Sequence, residues 1–225
     1  MSSLPSSAAV EFMNVRDLRR DYARQTLLES NIDVNPFLQF RHWFAQAVDA
    51  QVIEPNAMTL ATITTDGKPA ARIVLLKDFD ERGFVFYTNF QSRKGQELAQ
   101  TPSGALVFWW GELERQVRIE GSVTLVSEAE ADAYFQSRPK GSQLGAWVSH
   151  QSQVIGERSV LEDRLAALEQ EYCDRPIPRP PHWGGYRLAP TYFEFWQGRT
   201  NRLHDRLCYR HITTNNIWQV ERLSP

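Results

Sequence analysis

The stretch AMTLATITTDGKPAARIVLLKDFDERGFVFYTN, residues 57–89, decides the architecture. Three runs within it, AMTLATITT (57–65), AARIVLLK (70–77) and GFVFYTN (83–89), are rich in β-branched and aromatic residues. The turn pairs Asp66-Gly67 and Arg82-Gly83 part them. Such runs favour a pleated, half-buried surface, and tight turns join neighbours antiparallel. Two more follow, ALVFWW (105–110) and RQVRIEGSVTLV (115–126). Five short strands in close succession predict an antiparallel barrel or sandwich. Strand texture returns in GYRLAPTYFEFWQ (185–197), DRLCYRHIT (205–213) and NIWQVERL (216–223), with Asn215-Asn216 as a turn. The simplest arrangement is a single domain over residues 1–225, mainly β with peripheral helices (α+β), whose last strands complete the sheet begun at residue 57.

Around this β-run the periodicity changes to that of helices. Residues 1–13 are rich in Ser and Ala and are expected to be disordered, after which Asn14 caps a helix predicted over Arg16–Leu28. Asn35-Pro36 is an N-cap and first-turn pair, followed by Phe37, Phe40, Phe44 and Ala47 at helical spacing, with Gln39 and Arg41 polar. Further helices are predicted over Ser92–Gln100, from Ser127 with Glu130 at capping-box spacing, and over Glu157–Tyr172 with Leu161, Leu165, Leu168 and Tyr172 on one stripe. Residues 134–153, YFQSRPKGSQLGAWVSHQSQ, carry too many Gly, Ser, Gln and Pro for a regular element and are expected to form a loop. The Pro-rich run from residue 173 to 183 is an extended surface connection.

Bulk properties narrow the function classes. The 225 residues hold 25 Lys and Arg against 27 Asp and Glu, a formal charge of −2, which argues against nucleic-acid binding driven by bulk charge. Cys173 and Cys208 form no CxxC and have no metal-ligand spacing to histidine, so no zinc site or disulfide framework is expected, and a reducing cytoplasmic compartment fits. No run approaches the length of an apolar membrane span and the N-terminus lacks an export pattern, so neither membrane insertion nor export is expected.

Local clusters carry the chemistry. Alternation in AARIVLLKD puts Arg72 on one face and Lys77 on the other, either as two separate anion contacts or as solvated strand ends. Ser92, Arg93 and Lys94 bring two cations to a helix start, where free backbone N–H groups also favour an anion; a solvated first turn is the plain alternative. Gln116 shares a strand face with Arg118 and Glu120, opposite Arg115, Val117 and Ile119, and its amide can pair with a heterocycle or face water. The 134–153 segment offers Tyr134, Arg138, Ser142, Gln151 and Ser152 as hydroxyl, guanidinium and amide donors suited to phosphate, and Trp147 speaks for packing over a bare surface loop. In FEFWQGRTNRLHDR (193–206), an extended Asn201–Arg206 would place Arg202, His204 and Arg206 on one face and Asp205 with Leu203 on the other. Flanking arginines would depress the imidazole pKa and call for an anionic or electron-rich partner.

Taken together these segments resemble one family, the pyridoxine (pyridoxamine) 5′-phosphate oxidases. Glu194-Phe195-Trp196 followed by Arg202-Leu203-His204-Asp205-Arg206 looks like its C-terminal signature, and RIVLLK, FYTN, SRKG, LERQVR, SRPKGSQLGAWVS and the closing RLSP appear in family order over residues 14–225. The resemblance implies an FMN-binding split β-barrel, a homodimer with FMN at the subunit interface. By similarity, Arg72, Tyr87, Thr88, Arg93, Lys94, Gln151 and Ser152 hold the FMN phosphate and ribityl chain, and Lys77 also binds the cofactor. Gln116, Trp196 and Arg206 contact the flavin. Lys77, Tyr134, Arg138 and Ser142 grip the substrate phosphate, and Arg202 and His204 are the catalytic pair over the pyridine ring. Arg19 and Tyr22 match a mobile lid. The implied reaction oxidises pyridoxine 5′-phosphate or pyridoxamine 5′-phosphate to pyridoxal 5′-phosphate with O2. The alternatives are a related flavin oxidase of phenazine biosynthesis and a non-catalytic flavin or pyridoxal-phosphate binding protein. No metal is implied.

Overall fold

The structure, a computed structural model, describes residues 22–225. Nine strands form one antiparallel sheet: β1 (Ala57–Ile63), β2 (Pro69–Leu75), β3 (Asp78–Asp80), β4 (Gly83–Asn89), β5 (Ser103–Trp110), β6 (Arg115–Leu125), β7 (Trp183–Gln197), β8 (Asp205–Ile212) and β9 (Ile217–Arg222). The path is β2-β1-β5-β6-β7-β4-β3, with β8 and β9 branching from β7. The 15-residue β7 makes the branch possible. One edge pairs with β6 along nearly its whole length, while the other serves β4 over 183–188 and β8 over 192–197. Between these two zones lies Pro190, opposite a bulge at Glu120/Gly121. Proline has no N–H for a ladder, and the bulge bends the strand pair there. Gly121 is required by close approach: a Cβ on it would stand 2.0 Å from the Ala189 carbonyl oxygen.

Helix α1 (Pro36–Asp49) covers the inner face of the sheet. The Asn35 side chain accepts the Phe37 N–H at 2.9 Å, as the Asn-Pro pair predicts. Its buried face carries Phe37, Phe40, Trp43 and Ala47 against Phe84, Phe108, Phe193 and Phe195. Full burial of each such ring contributes roughly 1.5–3 kcal/mol, so this aromatic layer supplies much of the core. Phe44 is only half-buried, and Gln39 is buried instead, its Oε1 accepting the Asp33 N–H at 3.0 Å.

Three of the expectations need correction. Residues 22–28 of the predicted Arg16–Leu28 helix are not helical, because Glu114 and Asp205 accept the N–H groups of Ala23, Arg24 and Leu27 that a helix would use internally; residues 1–21, with Asn14 and Arg19, lie outside the described residues. The 134–153 loop is largely helical, since α3 (Glu128–Ser137) runs into it and α4 (Lys140–Val148) follows. Burial of Leu144, Ala146 and Val148 outweighs the poor propensity of its Gly and Ser residues, and the Gln143 amide donates to the carbonyls of Phe135, Gln136 and Arg138. Finally, 200–202 is a 3-10 turn with Asn201 and Arg202 at φ of 55° and 61°, so the extended reading of 201–206 fails. The strand starts only at Asp205.

The other helices agree with the sequence. Helix α2 (Arg93–Gln100) starts at Ser92, whose Oγ accepts the Gly95 N–H, and α3 starts at Ser127, whose Oγ accepts that of Glu130. In α5 (Ser159–Glu171), Leu165 and Leu168, with the adjoining Tyr172, pack on a second cluster of Phe135, Leu144, Ala146, Ile177 and Trp183. The Pro-rich connection is tied to it, as Trp147 Nε1 donates to the Pro178 carbonyl at 2.8 Å.

Candidate active site

Between β2, β4, α2, α3 and α4 lies a cavity of about 440 Å3. Lys77, Tyr87, Thr88, Lys94, Tyr134, Arg138, Ser142 and Gln151 all line it, eight of the site residues read from sequence. Lys77 lines it together with Ile73, Val74 and Leu75. Tyr87, Tyr134 and Trp183 stack nearly parallel, with centroids 3.9 Å apart for the tyrosines and 5.4 Å for Tyr87 and Trp183. Burial, reinforced by the charge of Glu130, pushes the Tyr87 phenol up to about 12, and burial raises Tyr134 as well. Both phenols therefore remain O–H donors at neutral pH. The Arg138 guanidinium lies 4.5 Å over the Trp183 ring, and its Nη1 is buried without a hydrogen-bond partner among the described residues. A buried, unpaired cationic donor is costly unless a ligand completes it.

Lys94 forms the far wall. Its Nζ donates to Gln151 Oε1 at 2.9 Å and Thr88 Oγ1 at 3.2 Å. Burial first, and then the positive charge of Arg72, holds this ammonium below the usual lysine range. Arg72 and Arg93 do not line the cavity; both bind the buried carboxylate of Glu97, at 2.7 and 2.9 Å. Ser152, at φ 72°, is exposed and outside the lining.

A second group gathers at the far end of β7. The β6–β7–β8 register sets Gln116 beside Trp196 and Trp196 beside Arg206. The His204 ring lies 4.6 Å from Trp196, and Tyr22 makes edge contacts with both, at 5.9 and 5.8 Å. His204 Nδ1 accepts the Arg199 backbone N–H at 3.1 Å, which assigns the neutral ring's proton to Nε2. Burial, then the charge of Arg202, lowers the imidazole pKa. Arg206 Nε donates to the buried Glu194 at 2.8 Å. Asp205 faces away from the ring: it accepts from the Leu27 N–H, from Arg199 and from Arg222, tying the 22–31 segment to this turn.

Sequence reading missed Glu97, Trp183 and Arg199 as parts of these groups. The i,i+4 spacing of Arg93 and Glu97 on α2 is a legible ion-pair signal. Trp183 and Arg199 had no such signal, because their partners are set by sheet pairing and a turn. Among the described residues no cluster of His, Cys, Asp or Glu is arranged to hold a metal, and no helix is long and apolar enough to cross a membrane.

A family model described as pyridoxamine 5′-phosphate oxidase matches residues 44–172, and one described as the pyridoxine 5′-phosphate oxidase C-terminal dimerisation region matches 183–225. The pyridoxine/pyridoxamine 5′-phosphate oxidase of Acaryochloris marina is 66% identical, over 94% of this chain and 96% of its own; that of Cyanothece sp. is 65% identical, over 95% and 99%. Among solved structures, PhzG from Burkholderia lata 383, in complex with tetrahydrophenazine-1-carboxylic acid, is similar with a TM-score of 0.84 and 33% identity, covering 90% of this chain and 100% of that one. A pyridoxamine 5′-phosphate oxidase-related, FMN binding protein of Nostoc punctiforme shares the fold at a TM-score of 0.68 and 21% identity, covering 86% of this chain and 100% of its own. With both family models matched end to end along the sheet and relatives this similar over almost the full chain, the protein belongs to the pyridoxine/pyridoxamine 5′-phosphate oxidase family.

Proposed function

We propose that the protein is an FMN-dependent oxidase that converts pyridoxine 5′-phosphate and pyridoxamine 5′-phosphate to pyridoxal 5′-phosphate, with O2 as acceptor. The observation that carries this reading is the cavity that Lys77, Tyr134, Arg138 and Ser142 line together, with Arg138 Nη1 buried and unpaired among the described residues, since that donor set suits a phosphate dianion. The residues also fit FMN: Lys94, Thr88, Tyr87 and Gln151, with Arg72, Arg93 and Ser152 beside them, would hold its phosphate and ribityl chain, and Gln116, Trp196 and Arg206 its ring system. FMN, when bound, would supply the redox chemistry, a two-electron oxidation of the substrate C4′ with O2 as final acceptor and H2O2 as by-product.

The chain's own residues then orient the substrate, and the proton released with the C4′ hydride passes to solvent. Arg202 steers the C4′ hydroxyl or amine, and His204, with Nδ1 occupied, presents Nε2–H to the substrate as a donor. Tyr22 and the segment latched through Asp205 exclude water from that side. For pyridoxamine 5′-phosphate, one water is consumed and NH3 leaves. The two groups of residues lie at opposite ends of β7, and Gly184 to Trp196 is at most roughly 40 Å measured along the strand, a separation that favours one flavin nucleotide drawing on two protomers. A homodimer bringing one end from each protomer to a shared FMN resolves this, and the match of 183–225 to a dimerisation region supports it. Two free cysteines, one exposed and one buried, suit the reducing cytoplasm.

The likeness to PhzG favours a second reading, oxidation of a phenazine precursor, but such a substrate leaves the Lys77, Tyr134, Arg138 and Ser142 donors without a phosphate. The test is to supply the purified protein with FMN and follow aldehyde and peroxide under air with each B6 phosphate. A yellow protein that turns over neither would sink the assignment.

A further inference from the structure

We infer that Glu97 is a positioning residue for the cofactor phosphate, aligning Arg72 and Arg93 and matching the charge of the site to a phosphate dianion. This rests on the reading that FMN binds beside Lys94. Glu97 sits in the second turn of α2, its side chain only 3% exposed, with both oxygens engaged. Oε2 accepts from Thr62 Oγ1 at 2.6 Å and Arg72 Nη2 at 2.7 Å, while Oε1 accepts from Arg93 Nε at 2.9 Å. Arg72 is held on a second side by the hydroxyl of Thr62. One carboxylate thus draws together a guanidinium from β2 and one from α2 that would otherwise repel. The Nη groups of Arg93 keep no hydrogen bond among the described residues and remain available.

The charge count supports the same role. Burial pushes the Glu97 carboxyl up, but hydrogen bonds from Thr62, Arg72 and Arg93 outweigh it and hold it below the usual range, so it is ionised at neutral pH. Arg72, Arg93 and Lys94 against this one carboxylate leave a net charge of about +2, the complement of a phosphate monoester near neutrality. Lys94 senses the cluster directly: Arg72 lowers its pKa and Glu97 raises it. A neutral residue at 97 would leave three cations without an internal counter-charge and let them spread apart.

The test compares FMN with riboflavin, which lacks the phosphate, by flavin-fluorescence titration of the full-length protein stripped of cofactor. Glu97→Gln is expected to weaken FMN by about ten-fold or more, the loss of a charge-assisted contact, while riboflavin changes by less than about two-fold. Glu97→Asp is expected to recover part of the FMN affinity. Thr62→Val, which removes the shared hydroxyl without touching the carboxylate, is expected to move the FMN-to-riboflavin ratio in the same direction and serves if the Gln variant does not fold. Equal losses for both ligands would mark a merely structural residue. Unchanged affinity for both, or a gain for FMN that shows Glu97 competing with the phosphate, would equally overturn the inference. Should the unmodified protein itself bind FMN no better than riboflavin, the cofactor reading fails first and the inference with it.

Discussion

At the residue scale, the FEFWQGRTNRLHDR segment divides its three arginines among distinct tasks. Arg199 and Arg206 are tied to the carboxylates of Asp205 and Glu194, whereas Arg202 stands on a left-handed turn beside His204. Arg202→Leu is expected to lower kcat by about 100-fold or more, in the range of lost positioning and proton-transfer groups, with the protein remaining yellow. The same change tests the electrostatics of His204. Its folded pKa lies below the ordinary 6.5, through burial and then Arg202, so the folded ring is neutral at pH 7. The unfolded ring takes a proton first as pH falls, so the stability tied to the neutral ring is complete above about 6.5 and is lost on acidification toward the folded value. An NMR titration should place the His204 midpoint below 6.5 and show it rising in the Arg202→Leu protein. At the other end, Arg138→Met should raise KM for pyridoxine 5′-phosphate by about 10- to 100-fold, the loss of a charged hydrogen bond, with far less effect on unphosphorylated pyridoxine. Equal effects on both would remove Arg138 from the phosphate site. These residue types were legible because phosphate and flavin recognition needs charge and planar donors in a recurring order. Trp183 was not, since it touches residues distant in sequence, and Glu97 was only in part: its pairing with Arg93 shows in the i,i+4 spacing, its contacts with Thr62 and Arg72 do not.

At the scale of elements, local signals served the capped helices and the alternating strands well. Asn35, Ser92 and Ser127 cap the helices they were expected to cap, and β6 alternates as its sequence does, Arg115, Val117 and Ile119 inward and Gln116, Arg118 and Glu120 outward. The failures are equally physical. The 134–153 segment has loop composition, yet α4 forms because burial against α3 and Trp183 outweighs the poor propensity of Gly141 and Gly145, where an added Cβ would meet no atom within 4 Å. Short β3 carries too little pattern in three residues to be seen. The bend between the two halves of β7 depends on Gly121 accepting the close approach of Ala189. Gly121→Ala should therefore destabilise the protein by about 1–3 kcal/mol, as overpacking does, read as a lower thermal midpoint. An unchanged midpoint would show that the bulge relaxes freely.

At the scale of the whole molecule, the proposed site, if both clusters at the ends of β7 serve one FMN, is a property of the proposed homodimer. Arg138→Met and Arg202→Leu each damage one of them. If the site takes one cluster from each protomer, mixing the two impaired proteins under conditions of subunit exchange should restore about a quarter of wild-type activity at substrate well below KM, since half of the dimers are mixed and each has one intact site. Absence of rescue despite exchange would place both clusters in the same protomer's site. The sequence by itself determined the β-rich class, the capped starts of α1, α2 and α3 and the family, because periodicity, caps and motif order are local properties of the chain. Only the tertiary structure decided that β7 is shared between β4 and β8, that 134–153 folds as helix, that Asn201 and Arg202 turn left-handed, and that Glu97 joins Arg72 to Arg93. Each of these depends on contacts between segments far apart in the chain, where burial and pairing outweigh local propensity.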